Sequence, residues 1–172
     1  MSMDREQAAQ QVRAGMTGLT AAMSSMRPFT INGQTWSAQQ LVDLLVVDPG
    51  NIDVHIAHLP AWVAWWGVTS SDAKHAFDAH EAAYRVARDQ WATKKRADGK
   101  MTKDALDEAW RCTPEYPTWY AQKAELERAW SCAQFVYEAF NRKSTMLSAL
   151  ARMYADEKIA GGAGRRDHTP AR

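Results

Sequence analysis

Apolar and aromatic residues recur at alternating steps of four and three along one segment near the C-terminus. The positions are Leu126, Trp130, Ala133, Tyr137, Phe140, Ser144, Leu147, Ala151 and Tyr154. This spacing is the seam of a coiled coil, in which one helix buries its stripe against another helix. Strands and loops do not sustain this pattern, so the chain needs a second long helix to cover the seam.

Residues 71–98 carry a matching stripe. Its members are Ala73, Phe77, His80, Tyr84, Ala87 and Trp91. Two stripes of similar length can bury each other when the helices fold back as an antiparallel hairpin. The sequence therefore predicts a mainly all-α fold built on a long helical hairpin, with Phe77, Tyr84 and Trp91 packed on the later seam.

The later helix is predicted from Thr118 to about Asp156, a rod of roughly 55–60 Å at 1.5 Å per residue. A compact globule of 172 residues has a diameter of only about 40 Å. The opposite face of this rod is apolar as well, with Cys132, Phe135, Val136, Ala139, Met146, Leu150 and Met153. We therefore predict a homo-oligomer larger than a dimer. Its interface is predicted at Trp130, Tyr137, Phe140, Leu147 and Leu150.

Smaller elements are predicted ahead of the hairpin. Residues 4–26 form a weak amphipathic helix with the stripe Val12, Met16, Leu19, Met23 and Met26. The dipeptide Asn32-Gly33 is a strong β-hairpin signal that places Phe29 opposite Trp36. Ser37 then caps a helix that continues to Val47 and is ended by residues 48–50. This helix turns Leu41, Leu44 and Leu45 inward.

The hairpin itself is predicted with one break and one short connecting helix. A helix over residues 52–66 contains the cluster Trp62, Trp65 and Trp66, which is more typical of a core or an interface than of a ligand site. Residues 67–71 are predicted to break the chain and to cap the next helix. A short helix over 103–111, capped by Thr102 and ended at 113–117, joins the long helices.

The chain thus divides into an accessory region at 1–60, a helical-hairpin core at 61–158 and a disordered tail at 159–172. A composition of 46% hydrophobic and 24% charged residues suits one domain with a core. Because no apolar run approaches the length of a membrane span and no signal peptide is visible, we expect a cytoplasmic protein without membrane contact. Cys112 and Cys132 lack metal-site spacing and are expected to be reduced core thiols.

Positive charge is concentrated at the end of the hairpin, although the net charge of the chain is only +1. Residues 85–103 contain Arg85, Arg88, Lys94, Lys95, Arg96, Lys100 and Lys103 against Asp89 and Asp98, so seven minus two leaves +5. Clustered cations bind phosphates, and Trp91 is available either to stack an unpaired base or to pack on the core. These seven cations and Trp91 are the predicted DNA-binding residues. The alternative is a solvated helix end whose charges serve solubility.

Catalytic motifs are not visible in the sequence. There is no nucleophile elbow, no phosphate-binding glycine loop and no zinc-protease motif. His55 and His58 are spaced to share a metal with Asp53, but no fourth ligand is nearby. We therefore expect a protein that is not an enzyme and that needs no cofactor or metal.

Residues 61–154 resemble the UvsY-like recombination mediators of tailed phages. The shared features are a long helix ending in Trp91 and the basic run, an Ala-Asp-Gly turn at 97–99, a short helix, and a long helix with Asn141-Arg142-Lys143-Ser144 near its end. The resemblance implies an accessory protein that binds single-stranded DNA, forms a ring-like homo-oligomer and helps to load a recombinase onto DNA coated by single-strand binding protein. The first 60 residues have no counterpart in that pattern.

Two other functions are consistent with the residues. One is a non-enzymatic structural or assembly component of a phage, whose tryptophan face and N-terminal hairpin bind other proteins. The other is a regulator that binds double-stranded DNA, for which a helix-turn-helix with a basic recognition helix is missing. DNA binding that depends on residues 85–103 would separate the mediator from the assembly component.

Overall fold

A computed structural model describes residues 5–31, 33–47 and 52–163 of the chain. It confirms the mainly all-α fold with a small β-hairpin. In chain order the elements are α1 (Arg5–Ser24), β1 (Phe29–Ile31), β2 (Gln34–Trp36), α2 (Ala38–Leu45), α3 (Ile52–Asp98), α4 (Lys103–Arg111) and α5 (Tyr116–Ala163). Helices α3 and α5 are the two long arms of the predicted hairpin, and α4 is the short connecting helix.

Ring contacts show that α3 and α5 run antiparallel, as the two stripes predicted. Phe77 stacks on Trp130 with ring centroids 5.6 Å apart, while earlier on α3 Trp66 stacks on Phe140, later on α5, at 6.4 Å. Tyr84 meets Trp119 at the start of α5. The prediction for Trp91 was wrong, because its ring lies 5.5 Å from Trp110 of α4 and not on the α5 seam.

Helix α3 is continuous over 47 residues, so the predicted break at 67–71 was wrong. Thr69 and Ser70 are buried along this helix. Gly67 faces α5, and a Cβ added there would lie 3.2 Å from Cε2 of Tyr137. The absence of a side chain at Gly67 therefore leaves room for the Tyr137 ring. This close approach explains why a glycine lies inside the helix, where the sequence pattern alone predicts a helix break.

The N-terminal elements agree with the sequence. Strands β1 and β2 pair antiparallel with Phe29 opposite Trp36, and Gly33 has the positive φ of 75° that a tight turn requires. The Ser37 hydroxyl accepts a hydrogen bond from the backbone N–H of Gln40, which completes a capping box at the start of α2. Helix α2 ends at Leu45, and residues 48–50, predicted to stop it, lie outside the described residues.

The N-terminal elements also cover the second apolar face of α5. Helices α1 and α2 and strand β1 all contact α5, and Val136 and Ala139 are fully buried. Phe140, Leu147 and Leu150 belong to this core. Their predicted role in an oligomer interface is therefore corrected, because one chain already covers them. The core consists of the following residues: Val12, Met16, Met23, Phe29, Ile31, Trp36, Leu41, Leu45, Val47, Ile52, Leu59, Trp66, Ala73, Ala133, Val136, Ala139, Phe140, Leu147 and Leu150.

The other two predicted interface residues also pack within the chain. Trp130 is half-buried against Phe77, and Tyr137 is half-buried against Gly67. The protruding apolar rod expected from the sequence is thus covered by residues that were treated as accessory. These positions therefore offer no exposed surface that would support self-association, and homo-oligomer formation stays a prediction.

The ends of α5 differ from the prediction by a few residues. The helix begins at Tyr116, and Pro117 is tolerated in the first turn because its missing N–H would have no partner there. It continues to Ala163, so residues 159–163 of the predicted disordered tail are helical, and residues 164–172 lie outside the described part of the chain. Both cysteines are free, and Cys112 is exposed instead of lying in the core.

Candidate nucleic-acid interface at the hairpin end

Helix α4 closes the hairpin end by packing against α3. Its apolar residues Leu106 and Trp110 are buried, and the indole Nε1 of Trp110 donates a hydrogen bond of 3.0 Å to the hydroxyl of Tyr84. Thr102 caps the helix by accepting from the N–H of Ala105. The Trp91 ring is half-buried in this contact, so the structure uses it for packing and not as a free stacking surface.

Three of the predicted DNA-binding cations have acidic partners. Arg88 donates from Nε to Oδ1 of Asp107 at 3.1 Å, and its Nη2 bonds the same oxygen. This hydrogen bond raises the pKa of Arg88 and ties α3 to α4. Arg85 pairs with Glu81 at 3.2 Å, and Lys95 lies 4.0 Å from Asp98. Arg88 in particular is half-buried and holds the fold of this end together.

The other four predicted cations form an exposed cluster, which we call the basic tip. Its members are Lys94, Arg96, Lys100 and Lys103. None of them has an ion pair with any carboxylate of the residues that the structure describes. They span the last turn of α3, the connection and the first residue of α4, so their charge is open to an anionic partner.

A cavity of about 290 Å³ lies next to this end, between α3 and α5. We call it the aromatic groove. Its rings are those of Tyr84, Tyr116, Trp119 and Tyr120, and it is also lined by His80, Glu81, Arg85, Arg88 and Lys123. Tyr116 and Tyr120 are stacked with centroids 6.1 Å apart, and 64% of Tyr120 is exposed. The groove therefore presents an open aromatic surface beside cations.

One acidic residue, Glu81, holds two of the three cations that line the groove. Glu81 accepts a 2.5 Å hydrogen bond from Lys123 of α5 and another from Arg85. The Lys123 bond is the main cause that lowers the pKa of Glu81, and the same bond raises the pKa of Lys123. Three cations and one carboxylate line the groove, so its balance remains positive.

The sequence analysis missed the aromatic groove. Arg85 and Arg88 were assigned to the site, but the aromatic partner was placed on Trp91. The available signal was the run Tyr116-Pro117-Thr118-Trp119-Tyr120 at the start of α5, which contains three aromatic residues. The hairpin places this run of α5 beside α3, where His80 Nε2 forms a hydrogen bond with the Trp119 carbonyl oxygen.

The basic tip begins on α3, the helix that also forms one wall of the aromatic groove. Arg88 lines the groove, and Lys94 follows six residues later, about 9 Å further along the axis of α3. Cations that neutralise phosphates and rings that receive bases are the two components of single-strand binding sites. The cations of this arrangement can pair with anionic groups, and its rings can stack on flat groups.

Comparison of the chain with models of known protein families, with curated proteins and with solved structures found no match. The fold and the site therefore define the chain as a mainly helical hairpin protein whose closed end carries cations and exposed rings. Within the described residues, no helix is both long and apolar enough to cross a membrane. Across the same ranges, no three His, Cys, Asp or Glu side chains are grouped to hold a metal ion.

Proposed function

We propose that the hairpin end binds single-stranded nucleic acid without catalysing a reaction on it. The basic tip contacts phosphates, and the aromatic groove receives unpaired bases. The observation that carries the proposal is a set of four exposed cations, without an acidic partner among the described residues, at the end of the hairpin that also carries the open aromatic groove. A duplex offers phosphates to the basic tip, but its bases are paired and stacked and cannot enter the aromatic groove. Only a single strand can therefore use both parts of the site.

The resemblance to the UvsY-like mediators extends this proposal. Under it the ligand is single-stranded DNA, and the protein assists a recombinase in displacing single-strand binding protein. The order of long helix, short helix and long helix, with the cations at the connection, supports this extension. The aromatic partner differs from the sequence-based prediction, since the exposed ring is Tyr120 in place of Trp91.

Salt dependence of binding is the test. Fluorescence anisotropy of a labelled oligonucleotide is measured at several salt concentrations for the wild type and for the triple variant Lys94→Gln, Arg96→Gln, Lys100→Gln. Each phosphate contact on a single strand contributes about −0.7 to the slope of log affinity against log salt. The variant should therefore flatten the slope by up to about 2 for each subunit engaged.

A matched control separates a site from a general charge effect. Arg27, Arg142 and Arg152 are exposed cations outside the hairpin end, and the triple variant Arg27→Gln, Arg142→Gln, Arg152→Gln removes the same net charge. It should keep the wild-type slope. Equal losses in both variants, or no binding of the wild type at low salt, would overturn the proposal.

One observation favours a protein-interaction role as the second candidate. Val54, Trp65 and Val68 are exposed apolar residues of α3. An exposed apolar patch is typical of a protein contact. Homo-oligomer formation stays a prediction, and it would use this face in place of the buried residues of α5. Light scattering on the wild type and on a Trp65→Gln, Val68→Gln variant tests it, with loss of assembly expected only in the variant.

A further inference from the structure

Lys143 lies at the other end of the hairpin, inside the protein. Only 1% of this residue is exposed. Its ammonium donates a hydrogen bond of 3.0 Å to the carbonyl oxygen of Leu44 on α2 and lies 3.4 Å from Nδ1 of His55 on α3. No carboxylate of the described residues is within 4.0 Å of it. Buried ammonium groups are costly unless an anion pairs with them, so this one is a structural exception.

Lys143 lines a cavity of about 220 Å³. The rings of Trp62 and Phe140 line it, stacked with centroids 5.9 Å apart. Leu44 and Leu59 add aliphatic surface. A dry engineered cavity of about 150 Å³ is large enough to bind benzene, so this one has room for a six-membered ring and a small polar substituent. The exposed residues Asp43 and His58 also line it, so it reaches the surface.

The charged and titratable groups that face the cavity come from three helices. Asp43 of α2 lies at the rim and accepts a 2.6 Å hydrogen bond from Gln39. His55 and His58 are on α3, and Lys143 is on α5. Burial lowers the pKa of Lys143 to about 8, so at pH 7 the amine remains mostly protonated and can donate to an anion. Above pH 9 it is mostly neutral.

We propose that this cavity binds a small monocarboxylate with an aromatic or compact aliphatic body. The carboxylate accepts a hydrogen bond from Lys143 Nζ, and the body packs on Trp62 and Phe140. An anion at this position supplies the charge partner that the described residues do not provide. This site is separate from the hairpin end, and the proposal does not depend on nucleic-acid binding.

Ligand-observed NMR and isothermal titration with benzoate, and with benzyl alcohol as its neutral counterpart, test the proposal on the full chain. At pH 7 benzoate should bind saturably, at least tenfold more tightly than benzyl alcohol. This preference should fall to near onefold at pH 9.5, where Lys143 is neutral. The pH series uses only the wild type, so it remains decisive if a variant fails to fold.

Variants then assign the binding to one amine. Lys143→Met should reduce benzoate affinity to the level of benzyl alcohol, while Arg142→Met, which removes a neighbouring exposed cation, should leave it unchanged. Equal affinity of the wild type for the charged and neutral compounds would overturn the proposal. The proposal would also be overturned by an absence of saturable benzoate binding, by wild-type benzoate affinity in Lys143→Met, or by an equal loss of benzoate affinity in Arg142→Met.

Discussion

The buried ammonium of Lys143 makes the stability of this protein depend on pH in a direction that can be calculated. Burial lowers the pKa of Lys143 from 10.5 to about 8. A difference of about 2.5 in pKa, at about 1.4 kcal/mol per pKa unit, corresponds to about 3–4 kcal/mol of folding free energy. We expect the protein to be less stable by about this amount when the amine is charged than when it is neutral.

The sign follows from proton uptake on unfolding. The unfolded chain keeps the Lys143 proton up to its ordinary pKa of 10.5, whereas the folded chain keeps it only up to about 8. Between these pH values unfolding takes up a proton, so the free energy of unfolding rises with pH. Below pH 8 both states are protonated, and the full penalty of about 3–4 kcal/mol is present.

Lys143→Met keeps much of the side-chain length and removes the charge. At pH 7 it should gain about 3 kcal/mol from the missing penalty and lose about 1 kcal/mol because the Leu44 carbonyl loses its donor. The variant should therefore be about 2 kcal/mol more stable than the wild type at pH 7. At pH 10.5 half of the unfolded chains are still protonated and about 0.4 kcal/mol of the penalty remains, so the variant should be about 0.6 kcal/mol less stable. The difference therefore changes sign between about pH 9 and pH 10.5.

Urea denaturation of both proteins over this pH range measures the effect. The difference between the two free energies of unfolding isolates Lys143 from the tyrosines and surface lysines that titrate in both proteins. Lys103→Met, which removes an exposed lysine, is the control and should follow the wild type. A Lys143→Met curve that runs parallel to the wild type from pH 7 to 10.5 would refute the reasoning.

Three further changes test other parts of the structure. Tyr120→Ala should weaken oligonucleotide binding about 5- to 150-fold at fixed salt, since a stacked base is worth about 1–3 kcal/mol, and should leave the salt slope unchanged. In the anisotropy assay Tyr120→Phe should bind like the wild type, and an undiminished Tyr120→Ala would exclude the groove. Leu150→Ala should lower the free energy of unfolding by about 2–5 kcal/mol, equally at all protein concentrations in urea titrations. A concentration-dependent loss would return Leu150 to an oligomer interface. Gly18→Ala should raise stability by about 1 kcal/mol, because this exposed helical position has open space for a methyl group, and no change in the urea midpoint would contradict this.

The helical hairpin was predictable because its signal is repeated many times. Apart from His80 and Ser144, the stripe residues that recur every three or four positions are apolar or aromatic. The pairing of Phe77 with Trp130 follows from that register. The short elements had local signals that were equally clear, such as the capping box at Ser37 and the turn at Gly33. Each depends only on residues a few positions apart, so a single sequence contains all the necessary information.

The errors at Gly67, at the second face of α5 and at Trp91 share a different physical cause, since each concerns packing between distant segments. Gly67 has the same local appearance whether it ends a helix or admits the ring of Tyr137. The second apolar face of α5 looked exposed because nothing local indicates that α1 and β1 cover it. Trp91 and Tyr120 are both aromatic residues near cations, and only the position of α4 decides which ring is buried. These predictions were therefore wrong where they depended on contacts between segments that are distant in the sequence.

The uninterrupted course of α3 and α5 fixes a distance. Phe140 belongs to the core formed with the N-terminal elements, and Tyr120 lies twenty residues earlier on the same helix, which corresponds to about 30 Å along its axis. Without a hinge at Gly67, the hairpin cannot shorten this reach by bending there. The hairpin would therefore act as a spacer of fixed length between a protein bound to the N-terminal elements and a nucleic-acid strand bound at the hairpin end. Any transfer of the nucleic acid between the two would have to cover this distance.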